Sequence, residues 1–164
     1  MKKITFILFG LIAGTAFGQE GVKAQADVLA EIVSPLEIVS GTNLNFGTIN
    51  GTATGGDVTV AFNGNRTFVN PDMEVTSATA PTAASFTIKA ASGYLFSITI
   101  PNAKLDNGAG LDMDVTFVHN RKSIARRTGT GNPEELLVGG TLTVGDDQTA
   151  GSYTGTVEVT VAYE

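Results

Sequence analysis

Apolar and polar residues alternate along most of this chain, which predicts β-strands rather than helices. The first clear run precedes Pro35, where every second side chain is apolar. Its members are Val22, Ala24, Ala26, Val28, Ala30 and Ile32. Pro35 interrupts the pattern, because proline lacks the N–H group that a strand ladder needs. Leu36 and Ile38 then resume it. The pattern predicts an extended segment before Pro35 and a new strand after it.

A second region of alternation carries a turn signal at its centre. Phe86, Ile88 and Ala90 alternate with polar residues, and Ser92-Gly93 follows. The stretch 94–100 alternates again and ends at Pro101. Two alternating runs around a short glycine-containing turn are typical of a β-hairpin. We therefore expect residues 86–90 and 94–100 to pair with each other.

The last third of the chain contains three more alternating runs. They are formed by Leu111, Met113, Val115 and Phe117; by Leu136, Val138, Leu142 and Val144; and by Tyr153, Val157, Val159, Val161 and Tyr163. After residue 18, no window of 12 residues fits helical spacing better than strand spacing. The fold class expected is all-β, an immunoglobulin-like β-sandwich of about 7–9 antiparallel strands. A closed barrel is the alternative.

The N-terminus has the pattern of a cleaved export signal. Lys2 and Lys3 precede an apolar run from Ile4 to Ile12, and small residues follow up to Gly18. The run is shorter than the roughly 20 residues that a membrane-spanning helix needs. We expect a signal peptide over 1–18 and one domain over 19–164. The protein would then reside in the periplasm, on the cell surface or outside the cell, and would not be embedded in a membrane.

Composition removes several classes of function. The chain has 16 acidic and 10 basic residues and a net charge of −6, so nucleic acid is not an expected partner. It has no cysteine and one histidine, His119, which leaves too few ligands for a structural zinc site. Asp112 and Asp114 lie two apart on one strand face, and we interpret them as solvated. We expect no catalytic residue, metal or cofactor, and no enzyme activity.

One local concentration of charge stands out. Arg121, Lys122, Arg126 and Arg127 supply four of the eight basic residues that follow the leader. They form either a solvated loop or a basic contact patch for an acidic glycan, an acidic neighbouring subunit or lipopolysaccharide phosphates.

Both ends of the chain carry motifs of a known kind. Leu36-Glu37-Ile38 and Leu44-Asn45-Phe46-Gly47 open the domain, and Ala150-Gly151-Ser152-Tyr153-Thr154-Gly155-Thr156-Val157 leads into its last strand. From about 24 to 163, the chain resembles a family of secreted bacterial β-sandwich domains of unknown function. More distantly, it is similar to spore-coat-U-type and archaic chaperone–usher pilins.

The pilin resemblance implies a structural subunit of a cell-surface fibre that is assembled by strand addition. The arm 19–34, with Val22, Ala24, Ala26, Val28, Ala30 and Ile32, would insert into a neighbour. The accepting edge would carry Val157, Val159, Val161 and Tyr163. Expected partners are copies of itself or related subunits, a periplasmic chaperone and an outer-membrane usher. Alternatively, residues 26–33 are the domain's own first strand, or the protein is a monomeric module that binds a carbohydrate or host ligand through loops 63–82 and 119–135.

Overall fold

The computed structural model describes residues 21–76, 79–110 and 112–164. The described residues form ten strands and one 3-10 helix, and they contain no α-helix. The strands are β1 (Glu37–Ser40), β2 (Gly56–Val60), β3 (Arg66–Phe68), β4 (Ala84–Lys89), β5 (Leu95–Thr99), β6 (Ala103–Leu105), β7 (Met113–His119), β8 (Arg127–Thr128), β9 (Pro133–Val144) and β10 (Thr160–Tyr163). The 3-10 helix is Pro71–Met73.

The strands form two antiparallel sheets. The larger sheet has seven strands, and the smaller sheet has three in the order β10-β5-β8. The predicted all-β sandwich is therefore confirmed. Strands β6 and β8 are only three and two residues long, too short to leave an alternation in the sequence.

Strand β9 organises the larger sheet. It pairs with β4 over residues 133–138, with β7 over 138–143 and with β2 over 140–144. Gly139 lies where its partner changes from β4 to β2, and a Cβ there would collide with the carbonyl oxygen of Val60. At about 3.3 Å per residue, the 12 residues of β9 span roughly 36 Å. We refer below to the two ends of the domain as the Pro133 end and the Val144 end.

Two apolar clusters fill the interior, one toward each end of β9. The cluster at the Val144 end contains Phe46, Val58, Val60, Met73, Met113, Val115, Leu142 and Val144. The cluster at the Pro133 end contains Ala84, Ile88, Ala90, Phe96, Ile98, Leu136 and Val138. The alternating runs of the sequence supply most of these side chains, as expected for strands with one buried face.

The predicted hairpin around Ser92-Gly93 is wrong. Strand β4 pairs with β1 and β9 in the larger sheet, whereas β5 pairs with β10 and β8 in the smaller sheet. A turn does connect them, with Gly93 at a φ of 84°. It carries the chain from one sheet to the other, and alternation on both sides of a turn does not distinguish this from a hairpin.

The chain divides into two compact units, 1–32 and 33–164. Within the first unit, residues 21–32 contain no strand, and all of them are exposed. The extended segment predicted before Pro35 therefore forms no strand over residues 21–34, and the first strand among the described residues is β1. A strand needs a partner for its N–H and C=O groups, and the described residues supply none here. The predicted signal peptide, 1–18, lies outside the described residues.

Candidate assembly groove

Two strands lie at the edges of their sheets, and side chains of both pack against the same apolar cluster. β1 is the last strand of the larger sheet and pairs with β4, while β10 is the last strand of the smaller sheet and pairs with β5. Among the described residues, neither strand has a partner on its other edge. We call the gap between residues 36–50 and 153–163 the groove.

The first wall of the groove begins with β1. Leu36 and Ile38 are half-buried against the cluster at the Pro133 end, and Leu44 contacts both clusters. Phe46 is buried in the cluster at the Val144 end, and Ile49 packs against it. This wall therefore follows the interior from one end of the domain to the other.

The second wall contains the four predicted acceptor residues. Val157, Val159, Val161 and Tyr163 are half-buried against the cluster at the Pro133 end. They alternate with exposed residues, of which Glu158 is one. One edge of this wall is occupied, because Thr160 pairs with Thr99. The alternation therefore directs one row of side chains inward, as in a strand, although only Thr160–Tyr163 is assigned as one.

Residues 155–159 of this wall have open backbone groups. They belong to no strand and make no backbone hydrogen bond to any described residue. Just before them, Thr154 exchanges two hydrogen bonds with Asp106, at 2.8 and 2.9 Å. The wall is therefore anchored at both ends while its middle still has backbone donors and acceptors to offer.

Hydrogen bonds just beyond each end of the groove link the chain segments that continue its walls. At the Pro133 end, the Tyr163 hydroxyl donates to the carbonyl oxygen of Ser34 at 3.2 Å and accepts from the Ala91 N–H at 2.7 Å. At the Val144 end, the Asp147 N–H donates to the carbonyl oxygen of Thr52 at 3.0 Å. These contacts hold the walls in place without filling the space between them.

The groove widens into a cavity of about 840 Å³ at the Val144 end. Residues 45–53 and 147–154 form its sides, and the core residues Met113, Leu142 and Val144 also line it. The Tyr153 hydroxyl donates to the carbonyl oxygen of Thr149 at 2.7 Å and accepts from the Gln148 side-chain amide at 2.9 Å. Apolar core surface is thus reachable from outside at this point.

The predicted donor residues lie in the first unit and are exposed. Val22, Val28 and Ile32 have 101%, 95% and 96% of their surface accessible. Such exposure of branched apolar side chains is unfavourable in water, at about 25 cal/mol for each Å² that could be buried. The arm thus carries an alternating apolar row that the chain leaves in solvent.

The four residues of the basic patch separate into two pairs. Arg121 and Arg127 both contact Glu134, at 3.7 and 2.7 Å, and they are largely covered. Arg126 is exposed and lies 3.5 Å from the Glu164 carboxylate. Lys122 is exposed, and no described carboxylate lies within ion-pair distance of it. The charge available to a partner therefore comes from Lys122 and Arg126, a division that the sequence did not indicate.

The remaining candidates have structural surroundings. Asp112 and Asp114 lie 3.7 and 3.5 Å from the Lys104 ammonium group. His119 is half-buried opposite Val138, and its Nδ1 atom has no hydrogen-bond partner among the described residues. Over 21–76, 79–110 and 112–164, no three metal-binding side chains cluster.

The two loops considered for ligand binding lie apart. The 3-10 helix in loop 63–82 packs at the Val144 end, where Met73 joins the core cluster. The loop 119–135 lies at the Pro133 end, where Arg121 contacts Glu134. The two loops therefore do not form one shared binding surface.

A comparison with protein families matches residues 36–163 to a domain of unknown function, DUF4402. The chain belongs to the DUF4402 family. The predicted resemblance to a domain family of unknown function is thereby confirmed. The DUF4402 match begins at Leu36, the first residue of the groove wall, and leaves the arm outside. Searches of curated proteins and of solved structures found no match. No helix among the described residues is long and apolar enough to cross a membrane.

Proposed function

We propose that this protein is a structural subunit of a cell-surface or extracellular fibre, similar to a pilus. In this proposal the N-terminal arm of one copy occupies the groove of the next copy and supplies a strand between β1 and β10. The observation that carries the proposal is the groove itself, with two open strand edges above an accessible apolar interior. Strand addition of this kind combines backbone pairing with pockets for alternate side chains.

The arm and the second wall of the groove match in length and pattern. Residues 22–32 and residues 153–163 are both eleven residues long. The arm's apolar row would face the interior, and its other row, which includes Lys23, Asp27 and Glu31, would face solvent. Because successive strand side chains point to opposite faces, a single register places the whole apolar row inward.

The direction of insertion decides which end of the acceptor the donor domain meets. β1 runs toward the Val144 end and β10 toward the Pro133 end, so a strand between them is antiparallel to one and parallel to the other. In this proposal the arm runs antiparallel to β10. Ile32 would then lie at the cavity of the Val144 end, and Val22 would lie near Tyr163. An arm folded back into its own groove would instead turn at Ser34-Pro35 and run parallel to β10. The two arrangements therefore differ in which edge strand pairs antiparallel with the arm: β10 for a neighbour's arm, and β1 for the chain's own.

The open apolar edges also explain why the subunit would need a chaperone and an usher before it joins the fibre. An unpaired edge is a template for unwanted association unless something covers it. In this proposal the leader exports the chain, and a periplasmic chaperone covers the groove until an outer-membrane usher passes the subunit to the fibre. The proposal gives the chain no catalytic role.

Two adjacent arm residues provide a matched test. Val28 belongs to the apolar row and Leu29 to the other row, and both are almost fully exposed, at 95% and 91%. Val28→Asp would place a carboxylate in the apolar interior of the next copy, whereas Leu29→Asp would place it in solvent. We expect the wild type and Leu29→Asp to form SDS-resistant ladders that collapse on boiling. Val28→Asp should reduce ladder formation at least tenfold.

The comparison has a control and a clear contrary result. Both variants should melt at the wild-type temperature, because neither side chain packs in the free subunit. If the two variants form equal amounts of SDS-resistant ladder, the apolar face of the arm does not bind in the groove. A wild-type protein that remains monomeric after export would reject the fibre and favour the monomeric binding module.

A further inference from the structure

Charge is distributed unequally between the two ends of the domain. Eight carboxylates lie toward the Val144 end: Asp57, Asp72, Glu74, Asp106, Asp112, Asp114, Asp146 and Asp147. Among the described residues of that end, Lys104 and Arg66 are basic, and Arg66 donates to the carbonyl oxygens of Phe46 and Thr48. The Pro133 end instead carries Lys89, Arg121, Lys122, Arg126 and Arg127 with five carboxylates, Glu37, Glu134, Glu135, Glu158 and Glu164. The Val144 end is therefore strongly acidic. The Pro133 end is balanced overall, and we call it the basic end because four of its basic residues lie together in the loop 120–127.

The basic end is also where the arm joins the domain. Ser34, the last residue of the arm, accepts a hydrogen bond from Tyr163, and the neighbouring Glu164 contacts Arg126. The loop that contains Lys122 and Arg126 reaches β5 as well, because the Ile98 N–H donates to the carbonyl oxygen of Ile124 at 2.7 Å. Arg126 therefore lies close to the root of the arm, on the same loop as Lys122.

The acidic end is where the groove opens most widely. Asp147 lines the cavity, and Asp146 and Asp147 form the exposed turn after β9. An arm that runs antiparallel to β10 would enter at this end. Its insertion brings the basic end of the donor copy against the acidic end of the acceptor copy.

We propose that the loop 120–127 is a docking surface for a second copy of this chain. Lys122 and Arg126 of the donor would face the Asp146-Asp147 turn of the acceptor. This inference rests on the proposed function and adds the orientation and the charged contact between successive subunits. The contact joins two different surfaces, so repetition produces an open fibre and not a closed dimer.

The opposite direction of insertion would be opposed by charge. An arm parallel to β10 would place two basic ends together and leave both acidic ends unpaired. Complementary charge mainly raises association rates and selects orientation, while exposed ion pairs add little stability. The loop should therefore influence the speed and order of assembly more than the strength of the finished fibre.

Two complementary charge reversals test this contact in the full-length exported protein. Lys122→Asp with Arg126→Asp gives a chain with two acidic ends, and Asp146→Lys with Asp147→Lys gives a chain with a basic patch at each end. Each variant alone should assemble at least about tenfold more slowly than the wild type at low salt. An equimolar mixture should recover the wild-type rate, because contacts between the two different variants join opposite charges. High salt should slow wild-type assembly.

A control with half the charge change of Lys122→Asp with Arg126→Asp separates this contact from net charge. Thr67→Asp with Thr116→Asp adds negative charge on the exposed face of the larger sheet and should leave the assembly rate unchanged. Normal rates for both reversed variants, or no recovery on mixing, would overturn the docking surface while leaving strand addition intact. If the wild type itself forms no ladder, the proposed function and this inference fail together.

Discussion

Two segments of this protein share one sequence pattern and have opposite environments. Residues 22–32 and 153–163 each alternate apolar and polar side chains over eleven residues. The first segment is exposed throughout, whereas the apolar row of the second is half-buried against the core. Alternation thus specifies which face of a segment can be buried, and the availability of a neighbouring strand decides whether it is buried. The C-terminal segment has β5 beside it, and the arm has no described partner.

The same comparison explains the two free edges. The C-terminal segment uses one edge toward β5 and leaves the other open, and β1 does the same in the larger sheet. The arm has unpaired backbone groups that could form a strand, and the groove has two open strand edges that could pair with it.

Deletions of the two segments should differ most in their effect on the stability of the domain. Removal of Thr160–Glu164 eliminates β10 and uncovers the cluster at the Pro133 end, so we expect loss of cooperative unfolding. Removal of residues 19–32 should change the free energy of unfolding of the monomer by less than about 0.5 kcal/mol, because no described residue of the arm is buried. Urea unfolding of the monomeric protein measures the cooperativity and the free energy of unfolding for both deletions. Global unfolding of the arm deletion would mean that the arm is an internal strand.

Substitutions within the second wall of the groove should have an intermediate effect on the free energy of unfolding. Val161 lies opposite Ile98 with its side chain against the core, so Val161→Asp should lower the free energy of unfolding by about 2–4 kcal/mol. Thr160→Asp places the same carboxylate on the exposed face and serves as the control, with a change below about 0.5 kcal/mol. If both substitutions cost the same, the inward row of this wall has been assigned incorrectly.

Loss of the Tyr163 hydroxyl should have the smallest effect on the free energy of unfolding. Tyr163→Phe removes the bonds to Ala91 and Ser34 but keeps the ring, which packs edge-on to Tyr94 at 6.1 Å. We expect a loss of about 1 kcal/mol in thermal or urea unfolding. Thr156→Val, an exposed change in the same segment, should be nearly neutral. An unchanged Tyr163→Phe protein would show that this hydroxyl does not hold the two walls together.

Much of the fold could be predicted because one buried face imposes a period of two. The strands β1, β4, β5, β7, β9 and β10 all coincide with alternating runs. The pairing of β4 and β5 could not be predicted, because a turn between sheets and a hairpin turn use the same residues. The strand expected in the arm shows the same limit, since a local pattern contains no information about a distant partner.

The candidate site was predictable in part. The row from Val157 to Tyr163 follows from alternation, whereas the cavity beside Tyr153 depends on loops that fold back from both ends of the chain. The basic cluster was visible in the sequence, but its division was not. Glu134 forms ion pairs with both Arg121 and Arg127 only because residue 120 and its neighbours lie beside β9 in the folded sheet.

The central claim is that the groove accepts the arm as a strand, and hydrogen exchange tests it most directly. A peptide of residues 20–33 is added to a chain that begins at Val33, since residues 33–164 form a compact unit. Slowed exchange should appear at the backbone amides of residues 155–163 and along 36–40, the two open edges, and the Val28→Asp peptide should give none. Unchanged exchange at both edges with saturating peptide, or protection confined to other strands, would contradict the account.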